Sequence, residues 1–300
     1  MNLLSTARYI VKHPLSRGRR LANLGRFIAW QVGSRLVPGP VAIALTNKAR
    51  LFAEPGMTSA TGHIYVGLQE FEDMAFVAHA LRPGDLFVDV GANIGAYTAL
   101  AGAVAGAAVM AFEPNDLARD WLARNVALNG LQARVEIRNE AVGATAGNVE
   151  FTVDRDTTNS VVVAGDGLAV AERKATVPMT TLDIMCQKRC PAIIKIDVEG
   201  FELPVIEGAS ELLSHSGLLA LVVEMNGSGA KYGFDESKLV SLLGARGFEP
   251  MMYRPEERKL VARSDASSHA SDNVIFARKS SFLDHLLRDA EQLNIQGRRV

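Results

Sequence analysis

The run Leu86-Phe-Val-Asp-Val-Gly-Ala-Asn-Ile-Gly95 constrains the fold of this chain more than any other stretch. Leu86–Val90 reads as a short apolar strand carrying one carboxylate, Asp89. Gly91 and Gly95 follow, and a second apolar stretch starts at Ala96. Strand, tight turn and helix start in that order let a ligand touch main chain at the carboxyl edge of a parallel sheet. About 20 residues further on, a second strand at Val109–Phe112 ends in Glu113, the spacing at which a carboxylate grips a ribose.

The rest of the chain keeps this rhythm. Gln69–Leu81 reads as an amphipathic helix stopped by Pro83-Gly84-Asp85. Asp116 is the expected N-cap of a helix through Leu128, closed by Asn129-Gly130. Further strands are expected near Arg134–Arg138, Ala192–Asp197, Leu218–Met225, Phe248–Tyr253 and Asn273–Ala277, with a helix over 236–245. Residues 142–181 break the alternation with two β-like runs, Asn148–Val153 and Ala175–Thr180, and read as a hairpin-like insertion. Alternating strands and helices predict an α/β fold with a mostly parallel sheet and helices on both faces.

The organisation expected is a basic helical extension over 1–50, a catalytic domain over 51–280 and an amphipathic helix over 281–300. The extension shows apolar helical spacing at Leu21, Leu24, Ile28 and Val32, broken by Val37-Pro-Gly-Pro40. Val41–Phe52 then reads as strand. The last helix, with Phe282, Leu286, Leu287 and Leu293, can pack on the body or on a second subunit, which leaves a homo-oligomer open.

The details of the turn select the cofactor. A dinucleotide site asks for G-x-G-x-x-G, and only two glycines stand here. Asp89 would repel a pyrophosphate, whereas it suits a ligand bearing an ammonium and a sulfonium. S-adenosylmethionine has both. Gly91 lets the backbone approach its methionine part, Asn93 can hydrogen-bond it, and Gly95 completes the turn. Glu113 can accept from two ribose hydroxyls. Asn115 falls beside it, and Glu140 can accept from the adenine amino group.

These segments together carry a resemblance. Phe87-Val-Asp-Val-Gly-Ala-Asn-Ile-Gly95, Phe112-Glu-Pro114, Thr181-Leu-Asp183 and Ile194-Lys-Ile-Asp-Val-Glu-Gly-Phe-Glu202 resemble the FkbM-type methyltransferases, a class I S-adenosylmethionine-dependent family. The likeness covers roughly residues 60–250, and Asp-Val-Glu-Gly-Phe-Glu is its most specific element. It implies a Rossmann-like seven-stranded sheet with the last strand antiparallel, and O-methylation of sugars, glycans or natural products.

At the reacting end, Asp197 closes an apolar strand at the edge where ligands bind, and Glu199 and Glu202 follow within a short turn. Clustered carboxylates repel, which raises the pKa of one of them and suits a general base. Asp197 and Glu199 are the expected catalytic pair. Three acids so close can also hold a divalent metal, the less favoured reading, so no metal ligand is assigned. Glu202 equally suits the start of a helix. Lys195 has no role assigned: it can pair with an acid or face the other side of the sheet. His63 and Tyr65, in a segment that could cover the pocket, and Glu224, at the end of another strand, are the substrate-contact candidates.

Charge bears on partners. Residues 1–53 hold nine Lys or Arg and no Asp or Glu, leaving 23 basic against 33 acidic residues elsewhere, a balance of −10. Such a leader either contacts an anionic partner, such as a membrane surface or a charged substrate, or docks on the acidic body. No base-flipping motif is present, so no nucleic acid is expected. Two cysteines, Cys186 and Cys190, form no disulfide framework. With no transmembrane run and no secretory signal, the expected location is cytoplasmic, with the inner membrane face as a peripheral option. The alternatives carried forward are an NAD-dependent oxidoreductase and a non-catalytic scaffold that retains the fold.

Overall fold

Strand and helix alternate from residue 86 onward to build one eight-stranded sheet, seen in a computed structural model that describes residues 3–37, 39–152, 160–162, 173–263 and 272–300. Helices α1 (Leu3–Lys12) and α2 (Arg20–Leu36) lead into a small antiparallel pair, β1 (Val41–Ala44) and β2 (Arg50–Ala53). Helices α3 (Thr58–Val66) and α4 (Phe71–Ala80) come next. Then follow β3 (Leu86–Val90), α5 (Ala96–Ala99), β4 (Ala108–Phe112), α6 (Asp116–Leu128) and β5 (Val135–Arg138). A separate four-stranded sheet holds β6 (Ala141–Val142), β7 (Gly147–Thr152), β8 (Val161–Val162) and β9 (Lys174–Thr180). The chain returns through α7 (Leu182–Met185), β10 (Ile193–Ile196), α8 (Glu202–Glu207), β11 (Ala220–Glu224) and α9 (Glu236–Gly244). It ends with β12 (Glu249–Arg254), β13 (Lys259–Ala262), β14 (Asn273–Ala277), α10 (Ser281–Arg288) and a short hairpin, β15 (Asn294–Ile295) and β16 (Arg298–Arg299).

The strand order is β13-β12-β14-β11-β10-β3-β4-β5. β3, β4, β5, β10 and β11 run parallel, and β14 lies antiparallel between β11 and β12. The order reverses between β3 and β10, and such a switch point opens a crevice at the carboxyl ends of the strands. This is the doubly wound class I methyltransferase arrangement, with β13 added at the edge as an eighth strand.

Side-chain alternation sorts the core into two layers. Leu86, Val88, Val90, Ile194 and Ile196 pack with α8 and α9. Phe87, Ile193, Ala220 and Val222 pack with α4, α6 and α10. Asp89, Lys195 and Glu224 share the parity of this second face, so polar groups continue an apolar stripe just where the strands end.

Four local readings change. Val41–Phe52 is not one strand: the chain turns back after Ala44, and β1 pairs antiparallel with β2. α2 turns its apolar stripe outward: Leu21 is 86% exposed, while Asn23 (1%) and Phe27 (8%) face the body. The last helix stops at Arg288, and β15 pairs with β16 over residues that would have continued it. Leu283 and Leu287 seat that helix on the body, while Phe282 faces outward. The cap of α6 is Asn115, whose Oδ1 accepts the Ala118 N–H at 3.0 Å, not Asp116. Residues 153–159 and 163–172 of the insertion lie outside the described residues.

Candidate active site

The turn after β3 is pinned to the end of β4: the Gly91 and Ala92 N–H groups both donate to the Phe112 carbonyl. That contact brings Glu113 under the turn. Its Oε2 accepts the Asn93 N–H at 2.8 Å and its Oε1 the Asn115 N–H at 2.9 Å. Each oxygen keeps a second lone pair for a ligand hydroxyl. Burial pushes the Glu113 carboxyl up to about 7, against the pull of these two N–H bonds. Asn93 holds φ at +49°, a left-handed conformation that Asn tolerates better than most residues. Gly91 is required by its neighbour: a Cβ there would lie 1.8 Å from the Asp197 carbonyl oxygen.

A cavity of about 320 Å³ opens over this edge. Asp89, Gly91, Asn93, Glu113, Asn115 and Glu140 line it, together with Asp197, Glu199, Glu224 and His63. Asp89 is 2% exposed and accepts the Thr98 hydroxyl at 2.6 Å; burial lifts its pKa to about 6. Glu140 takes Arg138 Nη2 on Oε1 at 2.9 Å, while its buried Oε2 has no partner among the described residues. Gln69 Oε1 and Glu224 Oε2 are likewise buried without a hydrogen-bond partner among the described residues, and both residues line the cavity.

Lys195 organises the acidic end. It is 1% exposed, in the middle of the sheet, and its Nζ donates to Asp197 Oδ2 at 2.9 Å. Burial alone would lower its pKa, but Asp197 and Glu70 outweigh that and hold the ammonium charged. Nζ also lies 5.2 Å from the Tyr97 ring centroid, and the Tyr97 hydroxyl donates to Glu70 Oε2 at 2.6 Å. Asp197, Glu199 and Glu224 each offer an oxygen within 4.8 Å of the others. Burial and then the charge of Asp197 raise Glu199 to about 7 and Glu224 to about 9. Glu199 also sits at φ +55°, strained for a residue with a long side chain. Glu202 does other work: its Oε1 accepts the Val198 and Gly200 N–H groups and closes the loop into α8.

Gly95 and Tyr65 fall outside the cavity lining. Gly95, at φ +87°, is a packing glycine, since a Cβ would lie 2.4 Å from Leu122 Cδ1 of α6. Tyr65 packs edge-on against Phe27 of α2, with ring centroids 5.2 Å apart. His63 does reach the cavity, but its Nδ1 accepts the Gln69 N–H at 3.1 Å and burial lowers its pKa to about 4. A neutral, engaged imidazole packs better than it transfers protons. Lys195 and Gln69 are two of the cavity residues for which the sequence suggested no role. A lysine flanked by isoleucines in a central strand is the one signal that could have flagged the first.

The residues suit S-adenosylmethionine: Glu113 keeps a lone pair on each oxygen for ribose hydroxyls, Glu140 lines the same cavity, and buried acids suit a cation. The three-glycine pyrophosphate turn of a dinucleotide site is absent.

The Methyltransferase FkbM domain model matches residues 89–250, more than half of the chain. No curated protein matches. Among solved structures, the FkbM methyltransferase of Methylobacillus flagellatus aligns at 15% identity and a TM-score of 0.42, over 72% of this chain and 52% of that one. The chain thus spans about half the length of that protein. An S-adenosylmethionine-dependent O-methyltransferase of Thermotoga maritima aligns at 17% identity and a TM-score of 0.38, over 69% of this chain and 65% of that one. A tRNA (uracil-54, C5)-methyltransferase of Pyrococcus abyssi, solved with S-adenosyl-L-homocysteine, aligns at 10% and 0.40, over 79% and 43%. On the family match, the chain belongs to the FkbM methyltransferases, a family dependent on S-adenosylmethionine.

Proposed function

We propose that this enzyme transfers a methyl group to a hydroxyl on a small acceptor, a sugar, glycan or natural product, using the crevice between β3 and β10. The observation that carries this is one cavity lined by two sets of groups. Glu113 and Glu140 are acceptors suited to a nucleoside. Asp197, Glu199 and Glu224, clustered within 4.8 Å of one another, are acids suited to an acceptor hydroxyl.

S-adenosylmethionine brings an already activated methyl group on a positively charged sulfur. The protein therefore has to bind, align and move one proton. Glu113 would hold the ribose hydroxyls through its free lone pairs, and Glu140 the adenine amino group. Gly91, Asn93 and Asp89 would receive the methionine end. Lys195 fixes the Asp197 carboxylate beside the glycine turn. Glu199 would take the proton of the acceptor hydroxyl, because a base works best with a pKa near the working pH. Glu224, raised to about 9, stays protonated near neutrality and can donate a hydrogen bond to the acceptor.

The sign of the pH dependence follows. A raised carboxyl pKa means the basic form is lost as pH falls, so kcat should rise from pH 6 to pH 8 with a midpoint near the Glu199 value of about 7. Tritiated methyl transfer across that range reads it, and a flat profile would remove Glu199 from the proton step. The same carboxylate trio could instead hold a hard divalent cation. Activity lost to a chelator and restored by magnesium would favour that second reading. Mass spectrometry of candidate acceptors, seeking a gain of one CH2, tests the acceptor class. Methylation at carbon or nitrogen alone would contradict it.

A further inference from the structure

We infer that the outward face of α2 is a docking surface for an anionic lipid bilayer. The inference is independent of the catalytic reading. α2 is inverted relative to an ordinary surface helix. Its inward side carries Asn23, Arg26 and Gln31 as well as Phe27 and Trp30, and these polar groups are engaged there. Asn23 Nδ2 donates to Ser16 Oγ at 2.8 Å, and Arg26 donates to Asn23 Oδ1 at 2.7 Å and to Gln296 Oε1. The outward side is apolar: Leu21 is 86% exposed, Ile28 61%, Val32 54% and Leu36 75%. Ala22, Gly25, Ala29 and Gly33 lie exposed between them. The stripe runs about 22 Å along the helix at 1.5 Å per residue, and it ends beside exposed Val37 and Val41. An exposed apolar stripe of this length marks an interaction surface.

Charge selects the occupant. Exposed Arg20 and Arg35 stand at the two ends of the stripe, and Arg8, Lys12 and Arg17 are exposed on the neighbouring segment. No Asp or Glu occurs among residues 1–53 to offset them, while the rest of the chain balances at −10. Two such surfaces facing each other would set arginine against arginine, which disfavours a second copy of this chain. Apolar area combined with basic side chains is the pair of signals that together hold a helix at an anionic interface. Among the described residues no helix is long and apolar enough to cross a membrane, so α2 would lie in the plane of the surface. The adjoining elements reach the cavity. α2 rests on α3 through Phe27 and Tyr65, and α3 lines the cavity with Thr58, Ser59 and His63. Tyr9 and His13, on and just after α1, both meet the Gln69 carbonyl, at 3.2 and 3.1 Å.

The test is co-sedimentation of the full chain with two kinds of vesicle: phosphatidylcholine alone, and phosphatidylcholine with about a third phosphatidylglycerol. Binding is expected to the second and to be at least about tenfold weaker to the first. Leu21→Gln, Ile28→Gln and Val32→Gln together should lower binding by at least about tenfold without changing the thermal unfolding midpoint, since all three are exposed. Arg20→Glu with Arg35→Glu should remove the preference for the anionic vesicle. Equal binding by wild type and both variants would overturn the assignment. So would no vesicle binding in a protein that is dimeric by sedimentation equilibrium and becomes monomeric in the glutamine variant, which would give the face to a second copy. A monomer that ignores both vesicles would overturn it as well.

Discussion

Glu199→Gln should lower kcat by about 10²–10⁴ while leaving S-adenosylmethionine affinity within about twofold, because its carboxylate clusters with Asp197 and Glu224 and takes no part in the hydrogen bonds by which Glu113 holds the glycine turn. Glutamine keeps the shape and removes the basic form. The rise in rate between pH 6 and pH 8 should disappear with it. Asp197→Asn provides the companion arm. It takes the partner from the buried Lys195 ammonium, held at 2.9 Å, and lets that charge turn to Glu199 and Glu224. Glu199 would then ionise at lower pH and become a weaker base, so kcat should fall and the profile shift acid-ward. Single-turnover kinetics with calorimetry separate the two effects. Wild-type turnover in both variants would exclude these carboxylates from the reaction.

Glu113→Ala should weaken S-adenosylmethionine binding by roughly two orders of magnitude in Kd, about 3 kcal/mol for the loss of charge-assisted hydrogen bonds to vicinal hydroxyls. The change also strips the Asn93 and Asn115 N–H groups of their acceptor, so part of the loss comes from a turn that no longer holds its shape. Glu113→Gln divides the contributions. One amide oxygen can still accept a single N–H, so an intermediate affinity is expected. Calorimetry at fixed pH reads both variants. Because burial raises the Glu113 carboxyl to about 7, wild-type affinity should itself fall as pH drops through that value. An unchanged Kd in both variants would place the nucleoside elsewhere.

Much of this site was legible in the order of residues because local and global signals agree there. β3 and β14 begin and end where their apolar runs do, and Pro83-Gly84-Asp85 and Asn129-Gly130 punctuate the chain as turn residues should. The positions singled out at strand ends gather at one cavity because parallel strands send every carboxyl end to the same edge. What escaped depends on information that a single strand or helix does not hold. Periodicity assigned α2 an apolar face, but which face meets the body depends on Phe27 finding Tyr65, a partner remote in the chain. Lys195 points to the same side as Asp89 because β10 pairs with β3 in a register placing the two side by side, and register is a property of the pair. Gly95 reads as a ligand glycine within its motif and becomes a packing glycine only once Leu122 lies against it. β13 is a four-residue edge strand whose burial is partial, too short for its period to stand out.

The acids at neighbouring strand ends are proposed to clasp one positively charged methyl donor. Diffraction from crystals grown with S-adenosylhomocysteine tests it most directly. Ribose hydroxyls are expected on the Glu113 carboxylate, the adenine amino group on Glu140 and the sulfur end against Gly91 and Asp197. The nucleoside lodged outside this crevice, or reversed with its adenine beside Asp197, would contradict it.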